Sequence, residues 1–366
     1  MTQFSPTASL NRRCVLVGTA LLLLSLPLGA STPASGPAHA KPALSPPKSE
    51  ETIFFTVDAG HHSVLGRCDA EGACKSYLSP FGQGWQSYPD PSLVGDDLVA
   101  ASAPDGSQFA LISTRGGGVN LWLVSADGRT YQALTQDDAG IMPASSVDKD
   151  SLAFSPDGKS LAYIDRGNLW VLGLATLQAR SLTFDGGVRA LCWAPTGDAL
   201  AVIQNTSLRR VAANGSSNIL EVDGACTQPL VAWSKDPKTP NNIFFWGLGA
   251  EQVDETLATD VVMASPVQPN SMALLSTGLA MLAPSASSQT EVFLTPYNAG
   301  AAGPVQITQG GASAVWASAG GQALYFMRDQ VLWRCALDGS LAKPLGAVPM
   351  SHINLGPLAP LPGACR

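Results

Sequence analysis

The chain has 366 residues, enough for one large or two ordinary domains, with 45% apolar and only 13% charged residues. Eight Trp, eleven Phe and six Tyr supply core material and exclude disorder over the whole length, while 36 Gly and 27 Pro point to a turn-rich all-β protein. A net charge of −7 with no basic patch excludes long-range attraction to nucleic acid or anionic lipid.

Near the start of the chain, Arg12 and Arg13 stand ahead of a 16-residue apolar run from Val15 to Ala30. That run is short for a membrane span. A small-x-small site follows at Ala38–Ala40. Residues 1–40 therefore read as a bacterial-type secretory signal cut after Ala40, with the paired arginines hinting at twin-arginine export. Cys14 precedes the run and cannot be a lipoprotein cysteine after it. An uncleaved single anchor is the alternative. Either way the folded part leaves the cytoplasm, for the periplasm or the outside, and after cleavage it does not insert in the membrane. Without the signal, 19 basic residues face 28 acidic ones, a formal charge of −9. Residues 41–50 form a Pro-rich linker, and residues 51–366 are expected to form one domain with a C-terminal tail.

The exported part carries Cys68, Cys74, Cys192, Cys226, Cys335 and Cys365, an even set for an oxidising compartment. Six cysteines allow fifteen pairings, so the sequence does not fix them. Cys68 and Cys74 bracket the short loop DAEGA and form the expected local bridge. Cys335–Cys365 would pin the tail, and Cys192–Cys226 would span one repeat. The spacing is wrong for zinc and no histidines cluster with these residues, so no metal and no cofactor are expected.

One phrase recurs along the chain: SAPDGSQFALIS from Ser102, FSPDGKSLAYIDRGNLWVL from Phe154, WAPTGDALAVIQ from Trp193 and WASAGGQALYFM from Trp316. Weaker copies start at Trp233 and Ala264, and the segment near Glu51 matches the middle and outer part of another. Pro104 and Pro156 are 52 residues apart, Pro156 and Pro195 39, Trp193 and Trp233 40, and Trp233 and Trp316 83, room for two units. Blocks near 40 residues suit four-stranded propeller blades. Proline fixes its own φ and extends its predecessor, Asp-Gly supplies the tight turn, and an apolar strand follows. No such blade can bury both faces alone, so stacking in a ring is the expected solution.

The fold class expected is all-β, a six- or seven-bladed β-propeller of four-stranded antiparallel blades, with seven preferred. The units fall near 52–82, 96–136, 148–183, 187–222, 229–260, 261–309 and 313–346. The tail SHINLGPLAPLPGACR would add a strand to the first unit and close the ring, which otherwise keeps open edges. A β-sandwich of similar hairpins is the competing architecture. No long amphipathic helix appears; DETLATDVV from Asp254 is the nearest candidate.

The phrase FSPDGKSLAYIDRGNLWVL resembles the repeat of TolB-like, WD40-like (PD40) propellers, also seen in the propellers of prolyl-oligopeptidase-like peptidases. The resemblance covers about residues 95–215 and returns at about 312–340; Thr196 replaces the Asp in one copy, and the last copy lacks Pro and Asp. It implies the blade and no activity. TolB proteins also carry an N-terminal α/β domain, not expected here because only the linker precedes Glu51. No α/β-hydrolase domain and no G-x-S-x-G follow, which removes the peptidase chemistry.

Three places could carry function. Asp58, His61 and His62 lie in DAGHHS; oligogalacturonate lyases resemble this scaffold and use histidines with a metal. Adjacent strand histidines point to opposite faces, however, so a polar β-turn is the plainer reading. Trp85, with Phe81 and Tyr88, could form an aromatic contact surface or plug a gap between blades. Arg209 and Arg210 interrupt a strand that reads NLWVL elsewhere and could face outward or into the channel. The Asp105–Gly106 and Asp157–Gly158 turns read as architecture, and Trp170, Trp193, Trp233 and Trp333 as core. The favoured function is a non-catalytic exported module, monomeric, that binds a protein, a peptide or a cell-envelope component. The alternative is a metal-assisted hydrolase or lyase working at the propeller mouth through His61, His62 and Asp58.

Overall fold

The computed structural model describes residues 52–58, 63–68, 74–76, 95–125, 130–135, 152–216, 218–224, 226–234, 238–247, 249–253, 259–264, 272–297, 303–318, 321–329, 331–345 and 360–361. The chain divides into Met1–Ser45 and Pro46–Arg366, and every described residue lies in the second unit. The signal, His61, His62, Trp85 and Cys365 fall outside the described residues.

The described residues contain strands and turns, no α-helix, and no helix long and apolar enough to cross a membrane. The first sheet holds β1 (Thr52–Asp58), β2 (Ser63–Cys68) and β3 (Cys74–Ser76). The second holds β4 (Asp97–Ser102), β5 (Gln108–Ser113), β6 (Asn120–Ser125) and β7 (Tyr131–Ala133). The third holds β8 (Leu152–Phe154), β9 (Ser160–Asp165), β10 (Asn168–Gly173) and β11 (Gln178–Ser181). The fourth holds β12 (Val188–Trp193), β13 (Ala199–Gln204), β14 (Ser207–Ala212) and β15 (Asn218–Val222). The fifth holds β16 (Val231–Trp233), β17 (Ile243–Trp246), β18 (Gly249–Val253) and β19 (Thr259–Ala264). The sixth holds β20 (Met272–Leu274), β21 (Gly278–Pro284), β22 (Thr290–Pro296) and β23 (Val305–Gln306). The seventh holds β24 (Ala314–Ala317), β25 (Ala323–Arg328), β26 (Val331–Ala336) and β27 (Lys343–Pro344). The last strand, β28 (Pro360–Leu361), returns to pair antiparallel with β1. Among the described residues the strands thus form seven four-stranded sheets, all antiparallel, in a β-propeller arrangement.

The continuous apolar strands follow from burial on both faces. Along β9, Leu161 and Tyr163 pack toward the second sheet, while Ala162 and Ile164 pack toward the fourth. Along β17, Ile243 and Phe245 join the fourth sheet's Ala201 and Ile203, and Phe244 and Trp246 join the sixth sheet's Leu279 and Met281. The sixth and seventh sheets meet through Leu282, Val292, Leu324 and Phe326. Period-2 alternation therefore divides each strand between two seams instead of between core and water. Each large side chain buried there contributes about 1.5–3 kcal/mol. First strands of neighbouring sheets touch one another, β4 with β8 and β12 with β16, so they gather at the axis.

Two expectations change. The candidate helix from Asp254 ends in β19, the outer strand of the fifth sheet, so a unit boundary at residue 261 cuts through that strand. Val261 and Met263 are register partners of Glu251 and Ala250 in β18, with an irregularity between them. Trp193 and Trp233 are buried as core, whereas Trp170 and Trp333 are half-buried on third strands, stacked on Tyr163 and Phe326 opposite them.

Candidate functional site

The repeated phrase builds a repeated turn. In the third sheet the Ser155 hydroxyl donates to Asp157 Oδ1 at 2.7 Å and accepts the Ser160 N–H at 2.9 Å. Asp157 Oδ1 also accepts the Lys159 N–H at 3.1 Å, and the Gly158 N–H reaches the Ser155 carbonyl at 2.9 Å. Gly158 sits at φ +70°, a conformation that favours glycine. In the second sheet Asp105 accepts the Ser107 N–H and hydroxyl at 3.0 and 2.7 Å. In the fourth, Thr196 stands where Asp stands elsewhere, and its hydroxyl donates to Asp198, two residues on. In the seventh, Ser318 Oγ accepts the Gln322 and Ala323 N–H groups at 3.0 Å each.

These turns lean on one another across the seams. A Cβ on Gly158 would stand 3.6 Å from Pro104, and one on Gly197 3.5 Å from Pro156. Where the third and fourth turns meet, a cleft of about 420 Å³ opens, lined by Ser155, Asp157, Val171, Trp193, Asp198 and Asn214. Val171 and buried Trp193 supply the apolar floor, and the turn hydroxyls and carboxylates the rim. Trp193 is fixed by its indole N–H donating to the Ala153 carbonyl at 3.2 Å. Arg180 closes the outer end by donating to the Ala213 carbonyl.

The turn carboxylates of Asp157, on the cleft rim, and Asp105, in the second sheet's turn, are held in the charged form. The Ser155 hydroxyl, then the Lys159 N–H, bring the Asp157 carboxyl below its ordinary value. The Ser107 N–H, then its hydroxyl, do the same for Asp105. A carboxyl lowered in this way is a poor proton donor near neutral pH and a good acceptor of hydrogen bonds.

Arg209 and Arg210 sit on β14, the third strand of the fourth sheet, away from the axial first strands. Arg210 places its guanidinium 5.3 Å from the centre of the Trp233 ring in the next sheet and 4.0 Å from Asp198. Its neighbour Arg209 is register-paired with Val202 and Glu221. Arg210 thus braces a seam beside the cleft.

Asp58 ends β1 opposite Ser63, so the connection carrying His61 and His62 joins the second and third strands of the first sheet. Cys68 and Cys74 are direct register partners on β2 and β3. Cys192 and Cys226 are not bridged to each other, which corrects the pairing expected between them. Cys192 lies opposite Ala201 and its thiol donates to the Trp193 carbonyl, whereas the Cys226 N–H is tied to Thr206 beyond the far end of β13. At least three residues of strand, about 10 Å, separate the two levels, more than a disulfide spans. Cys335 is a buried thiol in the seam between the sixth and seventh sheets. Among the described residues no three or more His, Cys, Asp or Glu gather closely enough to hold a metal ion.

A second repeated device escaped sequence reasoning. In the third sheet, Thr183 Oγ1 accepts the Leu169 N–H at 2.9 Å, and Asn168 Oδ1 accepts the Gly186 N–H at 2.9 Å. In the second, Thr135 does the same for Leu121 and donates to Asn120 at 2.8 Å. In the sixth, Thr308 serves Val292 at 2.8 Å and donates to Glu291 at 2.6 Å. The signal in the sequence is the recurring apolar-Thr pair at Leu134–Thr135, Leu182–Thr183 and Ile307–Thr308.

No protein-family model matches the chain, and no curated protein matches it. Solved structures do. An oligogalacturonate lyase in complex with manganese is 13% identical, with 81% of this chain and 85% of that one covered at a TM-score of 0.53. The oligogalacturonate lyase of Vibrio parahaemolyticus is 12% identical, covering 81% and 86% at 0.52. TolB from Acinetobacter baumannii is 16% identical, with 84% of this chain covered at 0.47, and the chain spans 65% of that structure's length. At these identities the likeness of the two lyases is one of fold, the β-propeller.

Proposed function

We propose that the chain is an exported propeller, each of its seven sheets one blade, that binds a protein, a peptide or a cell-envelope component without transforming it. It works in the periplasm or outside the cell as a monomer, after removal of residues 1–40. The cleft between the third and fourth sheets carries the reading. Its apolar floor at Val171 and Trp193 and its preset polar rim suit an extended polar segment. The rim's Asp157 is held ionised by its own turn, so it offers acceptors and no proton for general acid catalysis. A disulfide at Cys68–Cys74 belongs to the same proposal, as does a contact role for Trp85, whereas Cys335 is a free buried thiol, so the bridge expected to Cys365 is not part of it.

Affinity capture from envelope extract tests it, comparing the chain from Lys41 with its Asn214→Trp variant, which fills the cleft. A component retained by the first and lost by the second is the expected result. Equal retention by both moves the site elsewhere and overturns the cleft reading. Cleavage of oligogalacturonate that is abolished by His61→Ala or His62→Ala would establish the lyase alternative instead.

A further inference from the structure

Six of the seven sheets begin, at the edge nearest the axis, with the strand that comes first in sequence. The first sheet does not: its order is β28-β1-β2-β3, so the strand nearest the axis comes from the far end of the chain. Two residue pairs join it, Thr52 with Leu361 and Ile53 with Pro360. β1 itself is seven residues long. The innermost ladders of the other six sheets are longer, with three to five pairs each. One of the two closing residues is Pro360, which has no N–H to donate. Fourteen residues, 346–359, separate Leu345 from β28, and fully extended they reach about 48 Å.

We propose that the inner edge of β1 is a strand-accepting site and that the C-terminal segment is its exchangeable ligand, which a second copy of this chain can supply in place of the first. The accepted chemistry is that of the resident segment, GPLAPLPG, rich in Leu and Pro. Such a segment loses little freedom on docking, because proline already holds it extended. So short a ladder keeps its own strand chiefly through the covalent tether, which for a connector of this length acts as an effective concentration of the order of millimolar. A strand offered from another molecule at that concentration competes on equal terms. The inference stands apart from the cleft and survives if the cleft binds nothing.

The test keeps the chain whole while it folds. A protease site placed between Val348 and Ser351 is cut afterwards, and a fluorescent peptide of residues 351–366 is added. Loss of the cut segment on dilution, saturable peptide binding followed by anisotropy, and at least about tenfold weaker binding of the Leu361→Pro peptide, which lacks the remaining ladder N–H, are expected. A cut segment that stays bound through dilution and never exchanges overturns the proposal. So does its departure with no peptide binding up to about 1 mM. Uncut protein refolded at about millimolar concentration is expected to give a dimer that reverts to monomer only after unfolding; monomer alone would deny the second copy its role.

Discussion

The third and sixth sheets solve the same problem with different chemistry. In both, a threonine on the chain leaving the outer strand satisfies a backbone N–H of the third strand, Leu169 in one and Val292 in the other. In both, the preceding residue of that strand gathers the glycine N–H groups of the loop toward the next sheet. The third sheet uses an amide: Asn168 Oδ1 takes the Gly186 N–H at 2.9 Å and faces Thr183 at 3.5 Å. The sixth uses a carboxylate, 1% exposed: Glu291 Oε1 takes Gly310 and Gly311 at 2.8 Å each, leaving Oε2 for Thr308 at 2.6 Å. Two oxygens divide the donors that one oxygen must share, and charge shortens the bonds. The latch is therefore defined by acceptor positions and not by residue type, which is why no single motif letter marks it.

Removing the carboxylate should have the largest effect. Glu291→Ala takes the acceptor from three donors at once, the buried Thr308 hydroxyl among them, and is expected to cost about 3 kcal/mol in urea unfolding. A cost no greater than that of Asn168→Ala would show that charge adds nothing to the sixth sheet's latch. Gly167→Ala comes next, at about 2 kcal/mol, because Gly167 sits at φ +73° and a Cβ there would stand 2.8 Å from the Gly187 backbone nitrogen. A neutral outcome would mean that the third sheet's loop is looser than its hydrogen bonds imply. Asn168→Ala itself should cost about 1 kcal/mol, with the Gly186 N–H left to water.

Smaller effects sharpen the contrast between seam and rim. Cys335, beside the sixth sheet's seam, has its thiol pushed up to about 11 by burial. Native protein should resist iodoacetamide at about pH 8 and react after unfolding in urea. Alkylation of the native state would reveal a seam that opens. The smallest effect belongs to the exposed turn. The folded pKa of Asp157 lies below the ordinary 3.8, so its contribution is present above that value and fades as the pH falls through the folded pKa. Exposure limits it to a few tenths of a kcal/mol. The difference in melting temperature between the wild type and Asp157→Asn should therefore shrink below about pH 4.

The sequence by itself determined what is local. Ser155-Pro156-Asp157-Gly158 specifies its turn because proline, the Asx hydrogen bonds and the positive φ all act within a few residues. Runs such as Leu200–Ile203 announce strands covered on both faces, and their spacing announced stacked repeats. Only the tertiary structure decided which groups face which. It decided that Cys192 and Cys226 sit at different levels, that Arg210 lies over Trp233, and that Glu291 meets Gly310 and Gly311. A turn's chemistry is complete within its own residues, but a side chain's partner is fixed by the sheet that packs against it, and pattern along the chain carries no record of that neighbour.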